Sequence, residues 1–179
     1  SPAGVEVPPD GCLGPAAPAE VLASLKPAFI ERGSVTAGTA SPLTDGATAL
    51  LVASEAFVRR HGLRPLAQLK AAAVAGCPPE LMGIGPVPAT RKALQRAGLT
   101  ASDLGVVEIN EAFASQAAAS VRELGLDPHA VNLDGGAIGI ADPLGATGAG
   151  LVGKAASLLQ RTGHSHALAT QCIGGGQGI

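Results

Sequence analysis

The sequence predicts an α/β domain, a layered arrangement in which helices cover a mixed sheet, and three observations predict it. Helical and extended apolar patterns alternate along the chain, glycines stand where the helical patterns stop, and the apolar content is high with almost no aromatic residues. Alternation of this kind is what crossover connections produce, and ligands then bind where loops leave the strand ends. With 179 residues and 46% hydrophobic composition, the chain can bury one core. Only 2% is aromatic, with no Trp or Tyr, so that core must use Ala, Leu, Val and Ile in close helix packing.

The elements follow in order. Pro2, Pro8, Pro9, Pro15 and Pro18 predict an extended arm over residues 1–25. Residues 47–60 are apolar on nearly every face and read as a buried helix that stops at His61-Gly62. Residues 66–74 read as a strand, and Pro78-Pro79 breaks whatever precedes it. An amphipathic helix is predicted over 88–97, with Arg91, Lys92, Gln95 and Arg96 toward solvent and Gly98 at its end. Val106 to Ile109 is the next strand, followed by a helix over 112–124 ended by Gly125. A helix over 146–161 ends at Gly163, before a strand over 166–172. The apolar stretch around it, 144–159, contains Lys154 and is too short to span a bilayer, so a buried helix is expected and no membrane is.

A net charge of -2 offers no field for a phosphate backbone, and no aromatic platform exists to stack bases, so nucleic acid is excluded as a partner. Cys12, Cys77 and Cys172 are too few and too scattered for a disulfide framework or a zinc site. A reducing, cytoplasmic compartment is expected, and no secretory leader is read at Ser1.

Three segments put reactive side chains at predicted strand ends: Asn110-Glu111-Ala112-Phe113, Gly135-Gly136 through Ala141-Asp142-Pro143-Leu144-Gly145, and Cys172-Ile173-Gly174-Gly175-Gly176. Cys172 enters a triple glycine, where backbone amides can face an oxyanion beside an accessible thiol. Equally, it reads as a small buried hydrophobe. Asn110 can hold a water or donate to a carbonyl, but its position favours a helix N-cap. His164 and His166 lack further ligands and read as solvent-facing, as do Arg91, Lys92 and Arg96.

Four motifs occur in the order found in one family: Val35-Thr36-Ala37-Gly38-Thr39-Ala40-Ser41 with Asp45-Gly46-Ala47, Met82-Gly83-Ile84-Gly85-Pro86, Asn110-Glu111-Ala112-Phe113, and Cys172-Ile173-Gly174-Gly175-Gly176. On these the chain resembles the C-terminal half of a thiolase. The resemblance implies a thiolase C-terminal domain over 26–179 lacking its last strand, with 1–25 the remnant of the family's loop domain. It implies acyl-CoA as substrate, no permanently bound cofactor, no metal, and contacts to coenzyme A from Ala37, Gly38, Ser41, Met82, Ala112 and Phe113. Cys172 would move the proton at the α-carbon. Asn110, through a water and with a histidine, would stabilise the enolate oxygen, and the Gly174 amide would serve the thioester oxyanion. The nucleophilic cysteine belongs to the N-terminal half, which becomes an expected partner, and homodimers or tetramers are usual in the family.

The chain departs from that pattern at two positions. The family's Gly-His-Pro triplet stands as Ala141-Asp142-Pro143, which replaces a donor with a carboxylate that only accepts. Gly150 stands where arginine is usual, inside a predicted helix. The expectation is a fragment of a 3-oxoacyl-CoA thiolase, inactive alone. The alternative is a non-catalytic module that binds acyl-CoA or a partner; kinship with β-ketoacyl synthases is opposed by Asn110-Glu111-Ala112-Phe113.

Overall fold

The structure, a computed structural model, describes residues 11–12 and 17–179. Most of the predicted arm, 1–10 and 13–16, lies outside the described residues. Its C-terminal part is not extended: Ala19–Ser24 form a short helix, α1, just after Pro18. The Leu22 and Leu25 side chains lie so close over Gly38 that a Cβ there would overlap them.

The predicted helix over 47–60 is corrected to Glu55–Arg60, α2, none of whose residues is buried. Its start is set by Ser54, whose hydroxyl accepts from the Phe57 N–H at 3.2 Å. Residues 47–53 form no helix and are almost all exposed, so the buried helix expected from their apolarity is absent. The strand expected over 66–74 is also absent; only Ala75–Gly76, β1, pairs. Side chains, not a neighbouring strand, reach three carbonyls of that segment. Gln160 Nε2 donates to Leu66 O at 2.8 Å, Lys92 Nζ to Val74 O at 3.2 Å, and Arg96 to Ala72 O. Lys92 and Arg96 therefore hold backbone as well as facing solvent.

A 3-10 turn over Pro79–Ile84 leads into helix α3, Pro86–Ala97, and then strand β2, Val106–Ile109, as expected. Helix α4 spans Ala114–Leu124, the short helix α5 Ala137–Ile140, and the long helix α6 Leu144–Thr162. Strand β3 covers Ala167–Thr170, and a hairpin of β4, Cys172–Ile173, with β5, Gln177–Gly178, closes the chain. The α/β class holds, with strands of both orientations distributed over two sheets. β2 pairs in parallel with β3, Val106 opposite Ala167 and Ile109 opposite Thr170. The second sheet is antiparallel in the order β1-β5-β4.

β2 is buried along its whole length, which is why it shows no polar alternation. Beneath it Leu104, Val107 and Leu126 form a core completed by Leu94, Val121 and Leu168. α6 packs on both β2 and β3, with Ala146, Ala155 and Leu158 buried and most of its other residues only partly covered, rather than the fully buried helix expected. Glu108 lies inside this layer and pairs with Lys154 of α6 at 3.0 Å. Burial raises the Glu108 carboxyl above its ordinary range, and Lys154 opposes that rise. No helix among the described residues is long and apolar enough to cross a membrane.

Candidate active site

The parallel strands deliver their C-terminal ends to one place. Asn110 extends β2 by one rung, its N–H donating to Thr170 O at 3.0 Å. Cys172 stands two residues beyond Thr170, at the start of β4. The expected capping role of Asn110 is overturned, because α4 begins at Ala114 and Phe113 holds the cap position. The Asn110 side chain is thereby released from the helix, and its Nδ2 donates to Asp142 Oδ2 at 2.8 Å in a buried contact.

Asp142 is only 4% exposed. Its carboxylate accepts from Asn110 and from the Thr147 hydroxyl of α6, and its N–H donates to Pro42 O at 2.8 Å. Asn110 presents its amide nitrogen, a donor, to the Asp142 carboxyl oxygen. The preceding residue, Ala141, has φ 72 and ψ 170, a region populated essentially by glycine alone. Beside Asp142 an open cavity of about 250 Å³ is lined by Leu43, Thr44, Asp45, Gly46, Pro143 and Leu144 among others.

Cys172 is half-buried. Burial chiefly raises its thiol above the ordinary range, with the Asp142 and Cys77 charges adding to the rise and its own backbone amide opposing it. The thiol is therefore the neutral form near neutral pH. Gly174 is exposed in the turn 174–176 that joins β4 to β5.

The other predicted residues fall into two groups. Ala40 forms an antiparallel bridge with Phe113, Ser41 N–H donates to Ala112 O at 3.1 Å, and Ala114 N–H to Thr39 O at 2.8 Å. Ser41, Ala112 and Phe113 are thus stitched together, with Ala37 and Gly38 in the turn just before. Met82 lies apart from them in the 3-10 turn, where its carbonyl is 3.9 Å from Cys77 Sγ.

Three further participants carry no role in the sequence reading. Phe29, 75% exposed, stands edge-on to Phe113 with ring centroids 6.1 Å apart. Thr147, in the first turns of α6, reaches back five residues to the Asp142 carboxylate just before the helix. The sequence holds no signal for Asn132: its amide pairs with both Ile109 N–H and Ile109 O, at 2.9 and 3.0 Å, and its Nδ2 also reaches Glu111 at 2.8 Å. Among the described residues no cluster of three His, Cys, Asp or Glu could hold a metal.

Known proteins resemble this chain closely. Residues 63–179 match the family model "Thiolase, C-terminal domain", and residues 6–56 match "Thiolase, N-terminal domain". An acetyl-CoA acetyltransferase of Rhizobium meliloti (strain 1021) is 48% identical over 175 residues, 98% of this chain and 44% of its own length. A 3-ketoacyl-CoA thiolase of Escherichia coli O9:H4 (strain HS) is 48% identical over 174 residues, 95% of this chain and 45% of its own. The crystal structure of human mitochondrial 3-ketoacyl-CoA thiolase superposes with a TM-score of 0.91 at 46% identity, covering 94% of this chain and 43% of that one; the same protein in complex with CoA gives equal values. The chain therefore spans less than half the length of these relatives, and it belongs to the thiolase family.

Proposed function

We propose that this chain is the C-terminal part of a 3-oxoacyl-CoA thiolase, supplying the proton-transfer side of an active site whose nucleophile lies in an N-terminal half. The reaction is cleavage of a 3-oxoacyl-CoA by coenzyme A, or the reverse condensation of two acyl-CoAs. One observation carries the reading: Asn110, at the end of β2, donates to Asp142 and to Thr170 O, two residues before Cys172. In this reading Cys172, a neutral thiol, delivers a proton to the α-carbon as the carbon-carbon bond breaks and takes one back in condensation. Gly174 offers its amide to the thioester oxygen, while Ala37, Gly38, Ser41, Met82, Ala112 and Phe113 line the path of coenzyme A.

Asp142 works against this chemistry. Its carboxylate occupies the Asn110 donor and places negative charge where an enolate oxygen would develop. Loss of one oxyanion donor costs roughly 10² to 10³ in turnover. In the protein carrying both halves, Asp142→His is expected to raise thiolysis of acetoacetyl-CoA by about that factor; equal rates for the two would sink the assignment. The chain alone is expected to give no thiolysis, and measurable cleavage by it would show that the N-terminal half is dispensable.

The captured Asn110 donor also favours a second reading, a module that binds acyl-CoA or a partner without turnover. Calorimetric titration with coenzyme A decides it: saturable heat without turnover by the protein carrying both halves supports the module, and absence of heat removes it.

A further inference from the structure

We propose that Glu111 is a positioning residue, whose carboxylate clamps the loop over residues 132–140 to the end of β2 and so holds Asp142 against Asn110. Glu111 Oε1 accepts from Asn132 Nδ2 at 2.8 Å, and Oε2 accepts from the Ile138 N–H at 3.1 Å. The two bonds grip the loop at its beginning and inside α5, four residues before Asp142. Asn132 is itself locked onto Ile109, the neighbour of Asn110. Gly136 completes the fit, since a Cβ there would occupy the space of the Glu111 carboxylate. A non-glycine residue in the conformation of Ala141 persists only where its surroundings over-determine it. Glu111 supplies that constraint upstream of Ala141, and the Pro42, Asn110 and Thr147 contacts of Asp142 supply it downstream.

The readout is the thiol of Cys172, which burial chiefly holds above its ordinary range and which the Asp142 charge raises further. Alkylation of Cys172 is followed by peptide mass spectrometry across pH in the full chain, and the midpoint is compared among variants. The reactive form is the thiolate, so a carboxylate that moves away lowers the midpoint and speeds alkylation at neutral pH. Glu111→Gln keeps the shape but can accept only one of the two bonds, and Gly136→Ala crowds the clamp from the loop side. Both are expected to lower the midpoint toward that of Asp142→Asn, with a severalfold faster reaction at neutral pH. Combined with Asp142→Asn, neither should lower it further, because each acts through the carboxylate. An unchanged midpoint in a variant with a cooperative melt, or the same drop in the Asp142→Asn background, overturns the proposal. Where Glu111→Gln loses its cooperative melt, Gly136→Ala carries the test. Thiolysis does not enter the measurement, so its failure is distinguishable from failure of the functional reading above.

Discussion

Ala141 holds its backbone at φ 72 and ψ 170, where a Cβ is crowded by the chain itself. Strain of this kind costs on the order of 1–3 kcal/mol, and glycine relieves it. Ala141→Gly is therefore expected to raise stability by about that amount, less the entropy glycine gains in the unfolded chain, about 0.5–1 kcal/mol. The check is urea denaturation: the midpoint moves up with the slope unchanged, and an unmoved midpoint would mean that the strain is already relaxed. By resemblance, thiolases carry glycine there, so the sequence pointed to position 141. What it could not show is that Asp142, one residue on, would take the Asn110 donor, because that contact joins residues 32 apart. Asn110 likewise read as a cap, since local preference carries no information about which tertiary partner competes for its amide.

Helix α6 and strand β2, on which it packs, each carry a feature that can be tested separately. Gly150 lies in the interior of α6, and a Cβ there would meet Thr48 Oγ1 at 3.6 Å, an ordinary contact. Gly150→Ala is expected to stabilise the chain by about 1 kcal/mol through helix propensity, measured as a rise in melting temperature. Gly153→Ala should gain less, because its Cβ would come within 3.2 Å of Leu50. The second feature is Glu108, whose folded pKa lies above its ordinary value of 4.5 because it is buried. The folded state then holds the proton more tightly than the unfolded one, so stability is greatest below the ordinary value and falls as pH rises from about 4.5 through the raised value. Melting followed from acid to neutral pH should show that decline, and Glu108→Gln should flatten it. At this scale the sequence was most legible where periodicity and a terminal glycine agreed, as in α3, α4 and α6. It failed at 47–60, where Ser54 rather than Ala47 sets the start of the helix.

Over the whole molecule, the segments that sequence reading made into a buried helix and a strand expose several large apolar side chains: Leu51 is 78% exposed, Val52 86% and Leu69 74%. A surface of this kind is what a missing partner covers. In the proposed reading that partner is the N-terminal half. Hydrogen exchange should then show fast amides over 47–53 and 66–74 in the chain alone and slow ones in the protein carrying both halves; fast exchange in both would remove the interface from these segments. The sequence by itself determined the α/β class, helices α3, α4 and α6, strands β2 and β3, and the family motifs, because periodicity, glycine stops and four ordered motifs are local properties of the chain. Only the tertiary structure decided how the site residues meet: Asp142 in the grip of Asn110 and Thr147, Glu111 and Asn132 fastening the loop that carries it, and the segments 47–53 and 66–74 left largely exposed outside regular secondary structure. Those outcomes depend on contacts between residues distant in the chain, whose energies no local pattern encodes.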